Sequence, residues 1–180
     1  MLFNKFEDYL QHEKKFSSNT ISAYLRDLKS FQFFLNQNGD KISKEINYSF
    51  IRQWIVHLSE NKFSKVSINR KIASLKSYFN FLVNIGELNS SPLKAHKNLK
   101  SSSKIVIPFS ETEIEKVFEG FQFIDGNDRD KLIIELFYST GIRRDELLNI
   151  KIINIDFDNH LIKILGKRNK ERIIPMLPKL

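Results

Sequence analysis

Between Glu60 and Glu87 the sequence has no acidic residue, although Lys65, Arg70, Lys71 and Lys76 all fall there. Placed at about 100° per residue on a single helix, Ser67, Arg70, Ser74 and Ser77 share one face. Lys65 and Lys76 lie on one flank of that face and Lys71 on the other. Ile68, Ile72, Leu75, Phe79 and Leu82 gather on the opposite side and are expected to be core. Short hydroxyl side chains let a helix approach closely, an arginine fork can pair with guanine or phosphate, and lysines neutralise a phosphate backbone. This is the chemistry of a helix seated in a DNA groove. A solvated helix face, polar by default, accounts for the same residues, and the missing acids favour the first reading.

A second concentration lies downstream. Residues 138–150 read Tyr-Ser-Thr-Gly-Ile-Arg-Arg-Asp-Glu-Leu-Leu-Asn-Ile, and Lys167 follows Arg143 by 24 positions inside Gly166-Lys167-Arg168-Asn169-Lys170-Glu171-Arg172-Ile173-Ile174-Pro175. On residue type alone Arg143 can neutralise a helix end or pair with Asp145 or Glu146, and Lys167 can be an ordinary turn lysine. Tyr138 and Tyr24 sit in apolar helical settings and are expected to be core.

The elements that must position these residues follow from periodicity. Phe3, Phe6, Tyr9 and Leu10 make a first helical segment, and Ser17 or Ser18 caps a second with Ile21, Tyr24, Leu25, Leu28, Phe31 and Leu35 in a stripe. Asn38-Gly39-Asp40 stops that helix. A third opens near Asn47 with Phe50, Ile51, Trp54, Ile55 and Leu58, and the fourth runs from Ser64 to Ile85 and ends at Gly86. Asn89-Ser90-Ser91-Pro92, Ser101-Ser102-Ser103 and Pro108 mark residues 89–108 as a linker between a helical domain, 1–88, and a second domain, 109–180. Ser110-Glu111-Thr112-Glu113 is a capping box. Helices are expected from Asp128 to Thr140 and from Arg144 to Asn149. The period then turns to alternation, giving strands at Ile153–Phe157, His160–Leu165 and Arg172–Ile174, with residues 166–170 as a hairpin tip.

Charge and composition narrow the function classes. The net charge is +8, and residues 1–100 supply all of it, with 16 Lys and Arg against 8 Asp and Glu. A basic module joined to a neutral one suits a polyanion grip; solvated lysine faces give the same arithmetic. The absence of cysteine excludes disulfide scaffolds, thiol catalysis and Cys-ligated zinc. No apolar run approaches the roughly 20 residues of a membrane span, and the first residues carry no signal-peptide pattern, so the chain reads as cytoplasmic.

The linked motifs resemble the tyrosine recombinase (phage integrase, Xer-like) family. Thr140-Gly141-Ile142-Arg143 with Glu146-Leu147 matches that family's T-G-[LI]-R-x-x-E-[LI], and residues 166–175 match its G-K-G-x-K-x-R-x-[VI]-P hairpin, with Arg168 in place of the second glycine. Upstream, Ser18-Asn19-Thr20-Ile21-Ser22-Ala23-Tyr24-Leu25-Arg26-Asp27-Leu28 is similar to the opening of its core-binding domain, and Asn89-Ser90-Ser91-Pro92 to its exit into the linker. The resemblance implies a mainly α protein with a small β component. A SAM-like core-binding domain of four to five helices would precede the first, α+β half of a catalytic domain with a small three-stranded antiparallel sheet. It implies that Arg143 clamps a phosphate oxygen, that Glu146 orients it, and that Lys167 protonates the leaving 5′ oxygen while a tyrosine takes the 3′ phosphate. Ser18, Asn19, Thr20 and Arg26 would join Lys65, Ser67, Arg70, Lys71, Ser74 and Lys76 on double-stranded DNA. No cofactor or metal is implied, because a phosphotyrosine conserves the bond energy.

The family's catalytic domain continues past the hairpin with H-x-x-R, a further His or Trp, and the nucleophilic Tyr. Three positions after His12, His57, His96 and His160 stand Lys15, Glu60, Leu99 and Lys163, so no H-x-x-R occurs. The expectation is an N-terminal recombinase portion that grips DNA without cleaving it, monomeric or weakly associating where the family forms tetramers on DNA. The alternative is a non-catalytic DNA-binding regulator derived from a core-binding domain.

Overall fold

The structure, a computed structural model, describes residues 2–37, 46–102, 105–121, 128–166 and 170–176. The chain divides into two compact units, Met1–Lys104 and Ile105–Leu180.

In the first unit, α1 (Leu2–Asp8) runs on into a π-helical turn, Tyr9–Glu13. Next come α2 (Ser18–Gln37), α3 (Tyr48–Glu60) and α4 (Lys65–Asn84). Each start has a side-chain cap that takes an otherwise orphan amide. Ser17 Oγ accepts from Thr20 N at 3.4 Å, Asn47 Oδ1 from Ser49 N at 2.8 Å, and Ser64 Oγ from Ser67 N at 3.2 Å. Gly86, at φ +76°, ends α4 in the left-handed conformation. The expected stop at Asn38-Gly39-Asp40 lies outside the described residues.

Packing stabilises these helices more than intrinsic propensity does. Phe6, Leu10, Leu28, Phe31, Leu35, Ile51, Trp54, Ile68, Ile72, Leu75, Tyr78 and Phe79 are all buried in one core. Phe31 meets Trp54 with ring centroids 5.0 Å apart, and Phe6 meets Tyr78 edge-on at 5.2 Å. Each large side chain contributes about 1.5–3 kcal/mol through burial. The five residues expected on the core face of α4 are all buried, and Tyr24 packs partly buried against the same cluster.

Residues 89–99, expected to belong to a linker, are tied to this unit. Leu93 is fully buried. Asn69 donates from Nδ2 to Leu99 O and accepts from Leu99 N at Oδ1, both at 2.9 Å, and the Tyr48 hydroxyl is hydrogen-bonded to His96 Nδ1 at 3.0 Å.

In the second unit, α5 (Glu111–Phe121) opens on the expected capping box: Glu113 accepts from Ser110 N at 2.8 Å and Ser110 Oγ accepts from Glu113 N at 3.3 Å. Then follow α6 (Asp128–Thr140), α7 (Arg144–Leu148) and a 3₁₀ turn, Ile152–Asn154. β1 (Ile155–Asp156), β2 (Leu161–Leu165) and β3 (Glu171–Pro175) form an antiparallel sheet in sequence order. Ile162 pairs with Ile155 on one side and Ile174 on the other, while Ile164 pairs with Arg172. Ile142, Ile162, Ile164 and Ile174 form the buried centre, with Leu136, Leu147, Ile150 and Met176 against it. The fold is thus mainly helical with one small antiparallel sheet, the class the sequence predicts.

Two expectations for this unit need correction. The alternation at Ile153–Phe157 yields only two strand residues, and Ile153 is 88% exposed in the 3₁₀ turn. The Asp156 carboxylate accepts from Asn159 N and Nδ2 at 3.0 and 2.8 Å, turning the chain before the strand can extend. Tyr138 is 57% exposed rather than core. Leu136 occupies the inward side of α6, and a residue two positions on points some 200° away; Tyr138 meets only the edge of Phe118 among the described rings.

Candidate functional site

The turn between α6 and α7 places Arg143. Thr140 Oγ1 donates to Leu136 O and accepts from Ile142 N, closing α6. Gly141 then takes φ +60°, a conformation that costs a side-chain-bearing residue energy. Ile142 buries itself against the sheet, and Arg143 becomes the residue that caps α7. Its backbone N donates to Glu146 Oε2 at 2.9 Å and its Nη1 to Glu146 Oε1 at 2.8 Å. The Arg143 side chain is 67% exposed whereas that of Glu146 is only 5% exposed. The carboxylate is thus an internal bracket, and among the described residues the guanidinium spends only one donor on it, which leaves a fork suited to an external anion.

Glu146 also receives Arg172 Nη2 at 2.9 Å from β3. The base of the hairpin closes on the same carboxylate: a Cβ added to Gly166 would lie 3.3 Å from Glu146 Oε1 and 3.2 Å from Lys170 O. The hydrogen bonds from Arg143, led by its backbone amide, hold the Glu146 carboxyl below the usual glutamate range against the opposing effect of desolvation, and the nearby Arg172 charge adds to them. Lys167 and Arg168, which the sequence assigns to the hairpin tip, lie outside the described residues. Sequence reading leaves Asp145 and Glu146 open as partners for Arg143; the geometry selects Glu146, while Asp145 pairs with Arg144 at 2.9 Å.

In the helical unit a second buried carboxylate gathers cations. Asp27 of α2 accepts from Arg70 Nη1 and Nη2 at 2.7 and 3.0 Å, from Lys71 Nζ at 3.2 Å, and from Ser74 Oγ at 2.8 Å. This corrects the expected outer face of α4. Ser74 is fully buried and Lys71 nearly so, because α4 packs against both α2 and α3 and buries more of its circumference than a one-sided helix. Arg70, Ala73, Lys76 and Asn80 are the exposed stripe, and Ser67 and Ser77 are half-buried on its edges. Ser18, Asn19, Arg26 and Lys65 are exposed and Thr20 is half-buried.

Asp27 and Arg172 are the residues that sequence reasoning did not assign. Asp27 had a signal, an acid set within the apolar stripe of α2 and facing a helix without acids. Arg172 had none beyond its place in the hairpin motif. Among the described residues, no group of three or more His, Asp and Glu is arranged to hold a metal ion, and no helix is long and apolar enough to cross a membrane.

Residues 3–86 match the phage integrase N-terminal SAM-like domain, and residues 109–180 match the phage integrase family. The chain is 33% identical over 177 residues to tyrosine recombinase XerC of Pediococcus pentosaceus, covering 97% of this chain and 59% of that protein. It is 34% identical over 182 residues to a tyrosine recombinase of Pseudothermotoga lettingae, covering 99% and 62%. It therefore spans about three fifths of the length of these curated relatives. Among solved structures, the Tn1549 transposon integrase in complex with a circular intermediate DNA superposes with a TM-score of 0.72 at 17% identity, covering 99% of this chain and 62% of that one. A lambda integrase dimer bound to a COC′ core site gives 0.75 at 18% identity, covering 97% and 47%. At these identities the two structures show a shared fold.

Proposed function

The chain belongs to the phage integrase family of tyrosine recombinases, and on that premise we propose that it binds double-stranded DNA in site-specific recombination. In this reading the helical unit grips the duplex through α2 and the exposed stripe of α4. Lys65, Arg70 and Lys76 meet phosphates or base edges, and Ser18, Asn19, Thr20, Arg26 and Ser67 line the approach. The second unit brings Arg143 to the phosphate that is to be exchanged. The single observation that carries this is Arg143 itself, an exposed guanidinium bracketed by a buried Glu146. Such a fork offers fixed cationic donors to the non-bridging oxygens of a phosphorane and needs no reorganisation at the moment of reaction.

Lys167 takes the role of general acid toward the departing 5′ oxygen, by its place in the hairpin motif. The four histidines include no H-x-x-R, so these 180 residues alone are proposed to bind DNA without cleaving it. The test pairs gel shifts with a search for covalent protein–DNA adducts on suicide substrates. Salt-sensitive retardation with no adduct is expected; either an adduct or no retardation at low salt would refute the reading.

A further inference from the structure

Two adjacent basic residues of α4, Arg70 and Lys71, converge on the single carboxylate of Asp27, which is 1% exposed. All the donors come from one helix, and with Ser74 they make four hydrogen bonds to its two oxygens. The two cations are not equivalent. Lys71 is buried, with its ammonium 6.0 Å from the Trp54 ring and 5.5 Å from the Phe63 ring. Arg70 is 53% exposed, so one edge of its guanidinium is fixed on Asp27 while the donors not used there remain available.

We infer that Asp27 is a positioning residue for DNA binding: it fixes the Arg70 fork in one orientation at the surface of α4, ready to meet a phosphate of the duplex. This rests on the reading of α4 as a DNA-facing helix. A free arginine loses rotamer freedom when it takes up a phosphate; one already locked by a bidentate partner has less to lose. Lys71 and Ser74 make the lock workable. They satisfy the rest of the carboxylate in the core, and the lysine supplies the charge balance, so the cluster keeps a net positive charge outward. Arg143 in the second unit is also held on a buried carboxylate, there by one guanidinium nitrogen and its backbone N–H.

Electrostatics alone predicts the opposite response to mutation, which makes the inference testable. Removing the negative charge of Asp27 raises the positive potential of α4 and should strengthen polyanion binding. Positioning requires that the same change weaken it. The wild-type chain, Asp27→Asn, Arg70→Ala, the double variant and Arg70→Lys are titrated into a fluorescein-labelled mixed-sequence duplex at low salt, with circular dichroism and urea midpoints recording the fold of each.

The expected result is that Asp27→Asn weakens binding about tenfold, toward the lower end of what losing one arginine contact to a duplex costs, and has no further effect once Arg70 is alanine. Unchanged or tighter binding by Asp27→Asn, with Arg70→Ala still weakened, would overturn the inference and leave the DNA-facing helix standing. An equal loss with and without Arg70 would overturn it by assigning Asp27 to the fold alone. Should Asp27→Asn fail to fold, Arg70→Lys decides: it keeps the charge and loses the fork, so weaker binding supports positioning and wild-type binding rejects it. Unaltered affinity in Arg70→Ala would overturn the reading of α4 as well.

Discussion

Arg172 on β3 and Glu146 on α7 are 26 residues apart and meet at 2.9 Å, on the carboxylate oxygen that also takes the backbone N–H of Arg143. One buried side chain therefore joins the arginine turn to the hairpin strand. The turn could form without the sheet, but its registration against the hairpin depends on this carboxylate being ionised and uncovered by any Cβ at Gly166.

The ionisation has a pH signature. Glu146 titrates below the ordinary glutamate range, chiefly through the Arg143 amide. A depressed carboxyl pKa contributes stability above its unfolded value, and that stability is lost as pH falls through the folded value. Acidification below the usual glutamate range should lower the thermal midpoint of the second unit in the wild type. Glu146→Gln should start lower and show a flatter response. Calorimetry across the acid range, with carboxyl carbon shifts followed by NMR, checks both.

Gly166→Ala tests the close approach. The added methyl meets a backbone carbonyl of Lys170 and a carboxylate already held by two arginines, neither of which can move freely. Overpacking of this kind costs about 1–3 kcal/mol. The urea midpoint of the second unit should fall, and the Arg143 side-chain N–H resonances should shift, since Glu146 is the group displaced.

The helices were legible because their apolar stripes have a clean period. Residue type alone left Asp145 and Glu146 both open as partners for Arg143, and only the motif around them singled out Glu146, the one the geometry selects. The outer face of α4 was misread for a reason that a helical wheel cannot express. A wheel assumes one buried side, whereas α4 is packed by α2 and α3 and lends Lys71 and Ser74 to the Asp27 carboxylate of α2, far away in sequence. Arg172 was invisible for a similar reason. Its approach to Glu146 depends on sheet register, with Ile164 opposite Arg172, and register is set by long-range packing rather than by any local pattern. The alternating run at Ile153–Phe157 failed because Asp156 prefers its own turn to a ladder.

Asn69 is expected to fasten residues 89–99. Its amide satisfies both backbone groups of Leu99, and removing it leaves a donor and an acceptor to find water. Asn69→Ala should cost about 1–2 kcal/mol. It should speed amide exchange at Leu99 and quicken tryptic cleavage after Lys97 and Lys100, with the helical core unaffected.

The same segment should loosen in acid. His96 is hydrogen-bonded through Nδ1 to Tyr48, and its Nε2 is buried without a partner. Burial, with the nearby Lys76 charge, moves its pKa below the ordinary histidine range. The folded state thus favours the neutral ring, so stability is complete above the ordinary value and declines as pH drops toward the folded one. Exchange at Leu99 should accelerate over that window in the wild type and become less pH-dependent in His96→Gln.

The division of α4 into exposed and buried cations predicts two different salt responses. Lys65 and Lys76 are exposed on α4, and neither enters the Asp27 cluster. If each neutralises a phosphate, its loss removes one released counterion and reduces the slope of log affinity against log salt by about 0.9. Lys65→Ala and Lys76→Ala should each show this, with thermal midpoints near the wild type. Lys71→Met should behave in the reverse way. Its ammonium is buried between Trp54 and Phe63, so the substitution should lower stability by leaving Asp27 short of a partner, and leave the salt slope almost unchanged. Fluorescence titrations over a salt series, paired with urea unfolding, separate the two. A shallower slope for Lys71→Met would place that ammonium on the DNA and contradict its burial.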